Sequence, residues 1–301
     1  MNLEQLTILY RGPLSSCNYG CRYCPFAKRH ESATELEGDR RALRRFVAWC
    51  VAHPGTRLSI LFTPWGEALV HGAYQDALVE LSQSAHVRRV AIQTNLSCRL
   101  DWVAACDTSR LALWATYHPS EVRRSAFVAR CLTLAETGVH FSVGAVGVRE
   151  HLPEIESLRR ELPREIYIWV NAVKELGRYY DAEDIARITA VDPLFGLNLA
   201  NYPSRGRACK TGSSVVAVDG HGTARRCHFV DEPLGNLYAS DFESRLFARP
   251  CPNAVCRCHV GYVYLEHLDL DSVFGTRGLE RIPLGWPDSG HRRRLPLQRS
   301  R

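Results

Sequence analysis

The chain has 301 residues, 46% of them apolar and 23% charged. These are ordinary proportions for a globular protein long enough to bury a core without disulfide staples. No stretch approaches the ~18 apolar residues of a membrane-spanning helix. The opening MNLEQLTILYRGPL lacks the basic flank and sustained apolar run of a secretory signal, so the cytoplasm is the expected compartment. The formal net charge of +6 comes from 35 Arg and 3 Lys against 32 acidic residues. Much of the excess lies in the last eleven residues, HRRRLPLQRSR, which read as a disordered tail. A nucleic-acid partner is therefore not expected.

In chain order, six short apolar runs read as buried strands: residues 6–10, 58–63, 89–94, 111–117, 140–146 and 166–172. Helical patterns separate several of them, at 40–53, 73–85, 121–138 and 151–162, the third ending in Gly138, a favoured residue just past a helix end. Strands alternating with helices predict an α/β fold with a parallel sheet, either an open partial barrel or a Rossmann-like sheet. After about residue 195 Pro, Gly and Cys become denser. SVVAV, DGHG and TARRC (214–227) read as a β-hairpin. The expected organisation is a barrel over 1–195, a small Cys-rich domain over 196–268, and an extension over 269–301 with a basic tail from about 285.

Twelve cysteines in a reducing compartment point to metal ligands, reactive thiols or buried hydrophobes rather than disulfides. Three of them, Cys17, Cys21 and Cys24, stand as C-x3-C-x2-C after the first predicted strand. A closed structural zinc site takes four ligands, and a [4Fe–4S] cluster is usually held by four thiolates. Three thiols in eight residues therefore leave one coordination position for something else.

This motif, with Tyr23 before its third cysteine, resembles the radical S-adenosylmethionine (SAM) superfamily. The resemblance implies a partial (β/α)6 barrel in which a [4Fe–4S] cluster on Cys17, Cys21 and Cys24 binds SAM through its open iron. It also implies reductive cleavage of SAM to a 5′-deoxyadenosyl radical that abstracts hydrogen from a substrate. TPWGEAL (63–69), after the second strand, matches the place of the family's Gly-Gly-Glu motif, which holds the SAM amino group. Gly66 and Glu67 are retained and Trp65 replaces the first Gly. Thr94 and Asn95 in QTNLS resemble the segment near the ribose, and GVRE, ending in Glu150, resembles the segment near the adenine. Each has a plainer alternative: Glu67 as a helix cap, Thr94-Asn95 as a turn, Glu150 as a helix start. His118 and, more weakly, Asn171 end the fourth and sixth strands, where barrel enzymes carry their sites. His118 is the candidate proton donor or substrate contact, and a hydrogen-bonded loop histidine is its alternative.

The second set, Cys209, Cys227, Cys251, Cys256 and Cys258, spans the predicted hairpin and the segment after it. It resembles the Twitch form of the SPASM auxiliary-cluster domains and implies a second [4Fe–4S] cluster, with four of the five cysteines as ligands and the choice among them open. Tetrahedral zinc is the alternative. The resemblance further implies an electron donor such as flavodoxin or ferredoxin and favours a peptide or natural-product precursor as substrate. A tRNA-modifying enzyme and a non-catalytic metal-binding redox module are the competing functions.

Overall fold

A computed structural model describes residues 3–26, 29–174, 179–275 and 278–287. Six parallel strands run in sequence order: β1 (Gln5–Arg11), β2 (Arg57–Phe62), β3 (Val87–Thr94), β4 (Leu111–Tyr117), β5 (His140–Val146) and β6 (Ile168–Asn171). Each pairs with its predecessor, and the order never reverses. That sequence of neighbours is the barrel-type winding, not the doubly wound alternative, in which strand order reverses at a switch point. The helices α1 (Ala33–Val51), α2 (Gly72–Gln83), α3 (Arg124–Glu136), α4 (Leu152–Glu161), α5 (Ala182–Val191) and α6 (Phe195–Leu199) follow in the connections. Helix α1 begins well before the predicted residue 40, because Ser32 and Glu35 form a reciprocal capping box. Gly138 takes a φ of +76° at the end of α3, as its position predicts.

Side-chain alternation divides the sheet into two faces. Leu6, Ile8 and Tyr10 of β1, Leu58, Ile60 and Phe62 of β2, and the matching positions of the later strands pack against the helices. The intervening residues Leu9, Leu61, Ala91, Ala112, Trp114 and Trp169 form a second core on the other face. Gly144 makes room for Trp169: a Cβ there would lie 2.1 Å from the indole ring.

The rest of the chain adds β7 (Tyr202–Pro203), β8 (Val215–Asp219), β9 (Thr223–Arg225), β10 (Pro233–Asn236), β11 (Val255–Cys256), α7 (His259–Tyr262) and α8 (Asp271–Phe274). The predicted hairpin is β8–β9, and β8 pairs in parallel with β1, so the hairpin, with β10 paired to β9, extends the main sheet to nine strands. β7 and β11 form a separate antiparallel pair. The stretch beyond residue 259 covers the second core, contributing Val260, Tyr262, Leu265, Leu270, Phe274, Leu279 and Ile282. Trp114 Nε1 donates to the Leu279 carbonyl and Ser142 Oγ to that of Glu280 (2.7 Å). Contacts continue past residue 285: Trp286 donates to the Arg164 carbonyl at 2.9 Å. Residues 288–301, the rest of the expected tail, lie outside the described residues.

Glu280 is fully buried and pairs with Arg89 at 2.7 Å, beneath the second core. Removing one partner of a buried pair strands the other charge. Glu280→Ala should therefore lower stability to urea by about 3 kcal/mol, while Arg89→Met with Glu280→Leu should cost far less. Equal losses in the two variants would show that the charges themselves do not matter.

Candidate functional site

The three clustered cysteines occupy the loop that leaves β1. Fixed acceptors hold this loop in place. Leu14 N and Tyr74 Oη both donate to Asp39 Oδ1 (3.1 and 3.0 Å), Ser15 Oγ donates to Glu31 Oε1 (2.8 Å), and Gly20 N donates to Glu121 Oε2 (2.9 Å). Cys17 Sγ faces two N–H donors, Tyr19 N at 3.4 Å and Asn95 Nδ2 at 3.8 Å. Cys21 Sγ lies 3.3 Å from His118 Nδ1, and the same nitrogen lies 2.8 Å from Tyr23 Oη. Burial pushes His118 down to about 4, so its ring is neutral at pH 7 and can accept from the phenol. Burial also raises the Cys17 thiol and pushes Cys21 up to about 11. A thiolate here thus needs a bound cation to stabilise it. Three soft thiols with N–H donors aimed at a sulfur suit an iron–sulfur cluster chemically. Among the described residues no three His, Cys, Asp or Glu side chains are drawn together as one metal ion would require.

The loops after β2 and β3 lock onto this loop through Gly66 and Glu67. Glu67 N donates to Ser16 O at 3.1 Å. A Cβ on Gly66 would sit 1.6 Å from the same oxygen, so glycine is required at that contact. The Glu67 carboxylate is buried (2% exposed) and accepts from Leu69 N (3.1 Å), Thr94 Oγ1 (2.8 Å) and Asn95 N. Thr94 and Asn95 in turn accept from Leu96 N and Ser97 N, both at 2.9 Å. Leu96 takes a φ of +58° in this turn. Asn95 Nδ2 spans from Cys17 to Asn18 Oδ1 (2.9 Å). Glu67 therefore makes the cap contacts and Thr94-Asn95 the turn contacts of their plainer alternatives, and in doing so they position the cysteine loop.

The remaining predicted residues sit around this junction. Trp65 is 45% exposed and packs on Phe26 (5.4 Å between centroids) and beneath Arg11 (5.5 Å), beside a cleft of about 560 Å³. Its side chain is half-exposed, and the close approach to Ser16 O falls on Gly66. Glu150 is exposed at the start of a 3₁₀ turn. Its neighbour His151 faces the loop instead, 5.5 Å from the Tyr23 ring, with Nδ1 buried and unpartnered among the described residues. Alternation also brings Arg11, Thr63, Gln93, Thr116 and Asn171 to the inner face at the C-terminal ends of β1 to β4 and β6. Of these the sequence analysis singled out only Asn171. The signal was available: in these five the every-second-residue series ends in a polar side chain, whereas that of β5 ends in Val146.

The second cysteine set comes from four loops and strand ends. Cys209 and Cys227 are buried, Cys251 and Cys256 half-buried and Cys258 exposed. Cys209 Sγ lies 3.2 Å from Thr211 Oγ1, and a Cβ on Gly261 would meet Cys256 Sγ at 2.8 Å. Burial, then Cys209 and Cys251, push Cys227 up to about 11. Burial, then Cys227, Cys251, Cys258 and Cys209, push Cys256 up to about 12. Cys258 also lies within electrostatic reach of Arg281, Lys174 and Arg11.

No protein-family model and no curated protein matches this chain. Solved structures do. anSMEcpe with bound AdoMet (SAM) superposes with a TM-score of 0.53 at 14% identity, covering 81% of this chain and 82% of that one. The fold resembles a radical SAM partial barrel. anSMEcpe with bound AdoMet and the Kp18Cys peptide gives a TM-score of 0.52 at 14% identity, over 77% and 78% of the two chains. At this identity the likeness is one of fold.

Burial raises the Glu67 carboxyl to about 7, although three hydrogen bonds oppose the shift. A carboxyl with a raised folded pKa stabilises the fold at low pH and loses that contribution as pH rises, here from about 4.5 through about 7. Carbon-13 titration should give Glu67 a midpoint near 7, and Glu67→Gln should remove this slope from the stability–pH curve. A midpoint near 4.5 would contradict the burial argument.

Proposed function

We propose that this chain is a radical SAM enzyme. In this reading Cys17, Cys21 and Cys24 hold a [4Fe–4S] cluster, and the loops carrying Tyr23, Trp65, Gly66, Glu67, Thr94, Asn95 and Glu150 form the SAM-binding rim. The observation that carries it is the junction just described. The C-x3-C-x2-C loop, the Gly66-Glu67 loop and the Thr94-Asn95 loop are knitted together at the C-terminal ends of adjacent strands, on a fold shared with AdoMet-bound anSMEcpe. When bound, the cluster supplies an electron that splits SAM into methionine and a 5′-deoxyadenosyl radical able to take hydrogen from a substrate.

The chain's own residues have definable tasks. Asn95 and Tyr19 direct N–H groups at Cys17 and so favour its thiolate. Neutral His118 orients Tyr23 and contacts Cys21, a positioning role that its burial favours over proton donation. Glu67 holds the rim loops in register. Cys227 lies within electrostatic reach of Cys209 and Cys251, and Cys256 within reach of all four others; because Cys258 reaches Cys256 but not Cys227, we take Cys209, Cys227, Cys251 and Cys256 as ligands of a second [4Fe–4S] cluster, with Cys258 left over. A flavodoxin or ferredoxin would supply the electron. A peptide or natural-product precursor is the favoured substrate class, in keeping with the peptide held by the anSMEcpe structure.

With dithionite and SAM, the anaerobically reconstituted protein should form 5′-deoxyadenosine and methionine. The Cys17→Ala/Cys21→Ala/Cys24→Ala variant should form neither. Cys258→Ser should keep about eight irons, whereas Cys256→Ser should keep about four. An unchanged 5′-deoxyadenosine yield in the triple variant would refute the enzymatic reading. Loss of iron in Cys258→Ser would refute the ligand choice.

A further inference from the structure

Three basic side chains near the C-terminal ends of the strands make no ion pair among the described residues. Arg281 is 4% exposed, yet its one hydrogen bond among the described residues is from Nη1 to Asn171 Oδ1 (3.0 Å), and it makes no ion pair there. The nearby carboxylate of Asp192 already accepts from Tyr167 Oη, Val170 N and Leu194 N. A buried charge is ordinarily paired, because leaving water is costly. Arg281 is also held in an uncommon conformation: its φ is +52°, unusual for a long side chain, and its guanidinium lies 4.2 Å from the centre of the Trp169 ring and 5.8 Å from that of Trp114.

Lys174, just beyond β6, donates to the carbonyls of Ala200 (2.9 Å) and Arg257 (2.6 Å). Arg11, the last residue of β1, donates from Nε to the Thr63 carbonyl at 2.9 Å. Neither has an acidic partner among the described residues. Both remain protonated at neutral pH, although burial pushes Lys174 down to about 8 and Arg11 to about 10. Asn198 links Arg281 to Lys174: its Nδ2 donates to Asn171 Oδ1, the acceptor of Arg281, and to Tyr262 Oη (3.2 Å), whose ring centre lies 5.6 Å from Lys174 Nζ, while Arg11 adds its charge at longer range. Beside them His259 is 5% exposed and its Nε2 has no partner among the described residues.

We propose that Arg281, with Lys174 and Arg11, forms an oxyanion subsite, and that the substrate of this enzyme carries a carboxylate or phosphate group held there. The inference rests on the radical SAM reading only in calling the ligand a substrate. The guanidinium offers a planar fork suited to either oxyanion, and Lys174 adds a point charge. His259 Nε2 is a further buried donor, or an acceptor for a protonated oxygen. A neutral substrate would leave these cations without an ion-pair partner among the described residues.

The test uses the full-length, reconstituted protein titrated with potassium phosphate and, separately, with sodium succinate, at constant ionic strength set with sodium chloride. Tryptophan fluorescence, sensitive to Trp169 and Trp114, and the thermal midpoint are the readouts. The wild type should respond saturably to at least one anion, and the tighter of the two names the group. Arg281→Gln should weaken that binding at least about tenfold. Arg281→Lys keeps a cation over Trp169 should the Gln variant fail to fold, and it too should bind more weakly. Arg99→Gln, at an 89% exposed side chain, should bind as wild type does. Three outcomes overturn the proposal: no saturable response, a response unchanged in both Arg281 variants, or competitive displacement of the anion by SAM. The last would mean that the cations hold the cofactor's carboxylate. Because anion binding is read without turnover, a failed subsite and a failed SAM cleavage are separately visible.

Discussion

The arrangement depends on one close approach between two backbones. The carbonyl of Ser16 accepts from Glu67 N, and Gly66 lies so near that oxygen that no side chain could be added. This contact fixes the loop of β1 against the loop of β2 one residue before Cys17. Glu67 then carries the constraint across to β3 through Thr94 and Asn95, and Asn95 returns it to Cys17. A buried carboxylate is an expensive connector, tolerable because its oxygens accept from three different donors. The cysteine loop, with no regular secondary structure of its own, thereby gains a defined shape.

The same economy of space governs the inner face of the sheet. Its lower half is a packed core, sealed by the chain beyond residue 259 and by the buried Arg89–Glu280 pair. Trp169 and Trp114 fill its middle, made possible by Gly144. Above the tryptophans the face turns polar and basic, with Arg11, Asn171, Lys174 and Arg281, and Lys174 donates to the Arg257 carbonyl next to Cys258. A dry floor under a charged rim restricts solvent and strengthens electrostatic contacts there.

How much of this could be read from the sequence follows from how local each signal is. All six barrel strands, four helices and the hairpin announce themselves by periodicity over a few residues. Helix α5, capped by Asp181 and Asp184, was missed because only Asp184, Ile188 and Val191 of its ten residues are buried. The parallel pairing of β8 with β1 joins segments some 200 residues apart, which no local pattern encodes. The same is true of the C-terminal stretch, whose buried residues Leu265, Leu270, Phe274, Leu279 and Ile282 follow neither helical nor strand spacing. At the site, the cysteine spacing and the order of the Gly66-Glu67 and Thr94-Asn95 segments were legible. The placements of His151 and Arg281 were not, since each depends on a side chain being turned toward a neighbour distant in sequence.

The central claim is that Cys17, Cys21 and Cys24 hold a cluster with an iron open to SAM. It is tested most directly by electron paramagnetic resonance of the dithionite-reduced, anaerobically reconstituted protein with and without SAM. The wild type is compared with the variant carrying alanine at all three positions. The account predicts a SAM-induced change in the wild-type spectrum, absent from the variant, whose iron content falls from about eight to about four. A wild-type spectrum indifferent to SAM, or a variant that keeps all its iron, would contradict it.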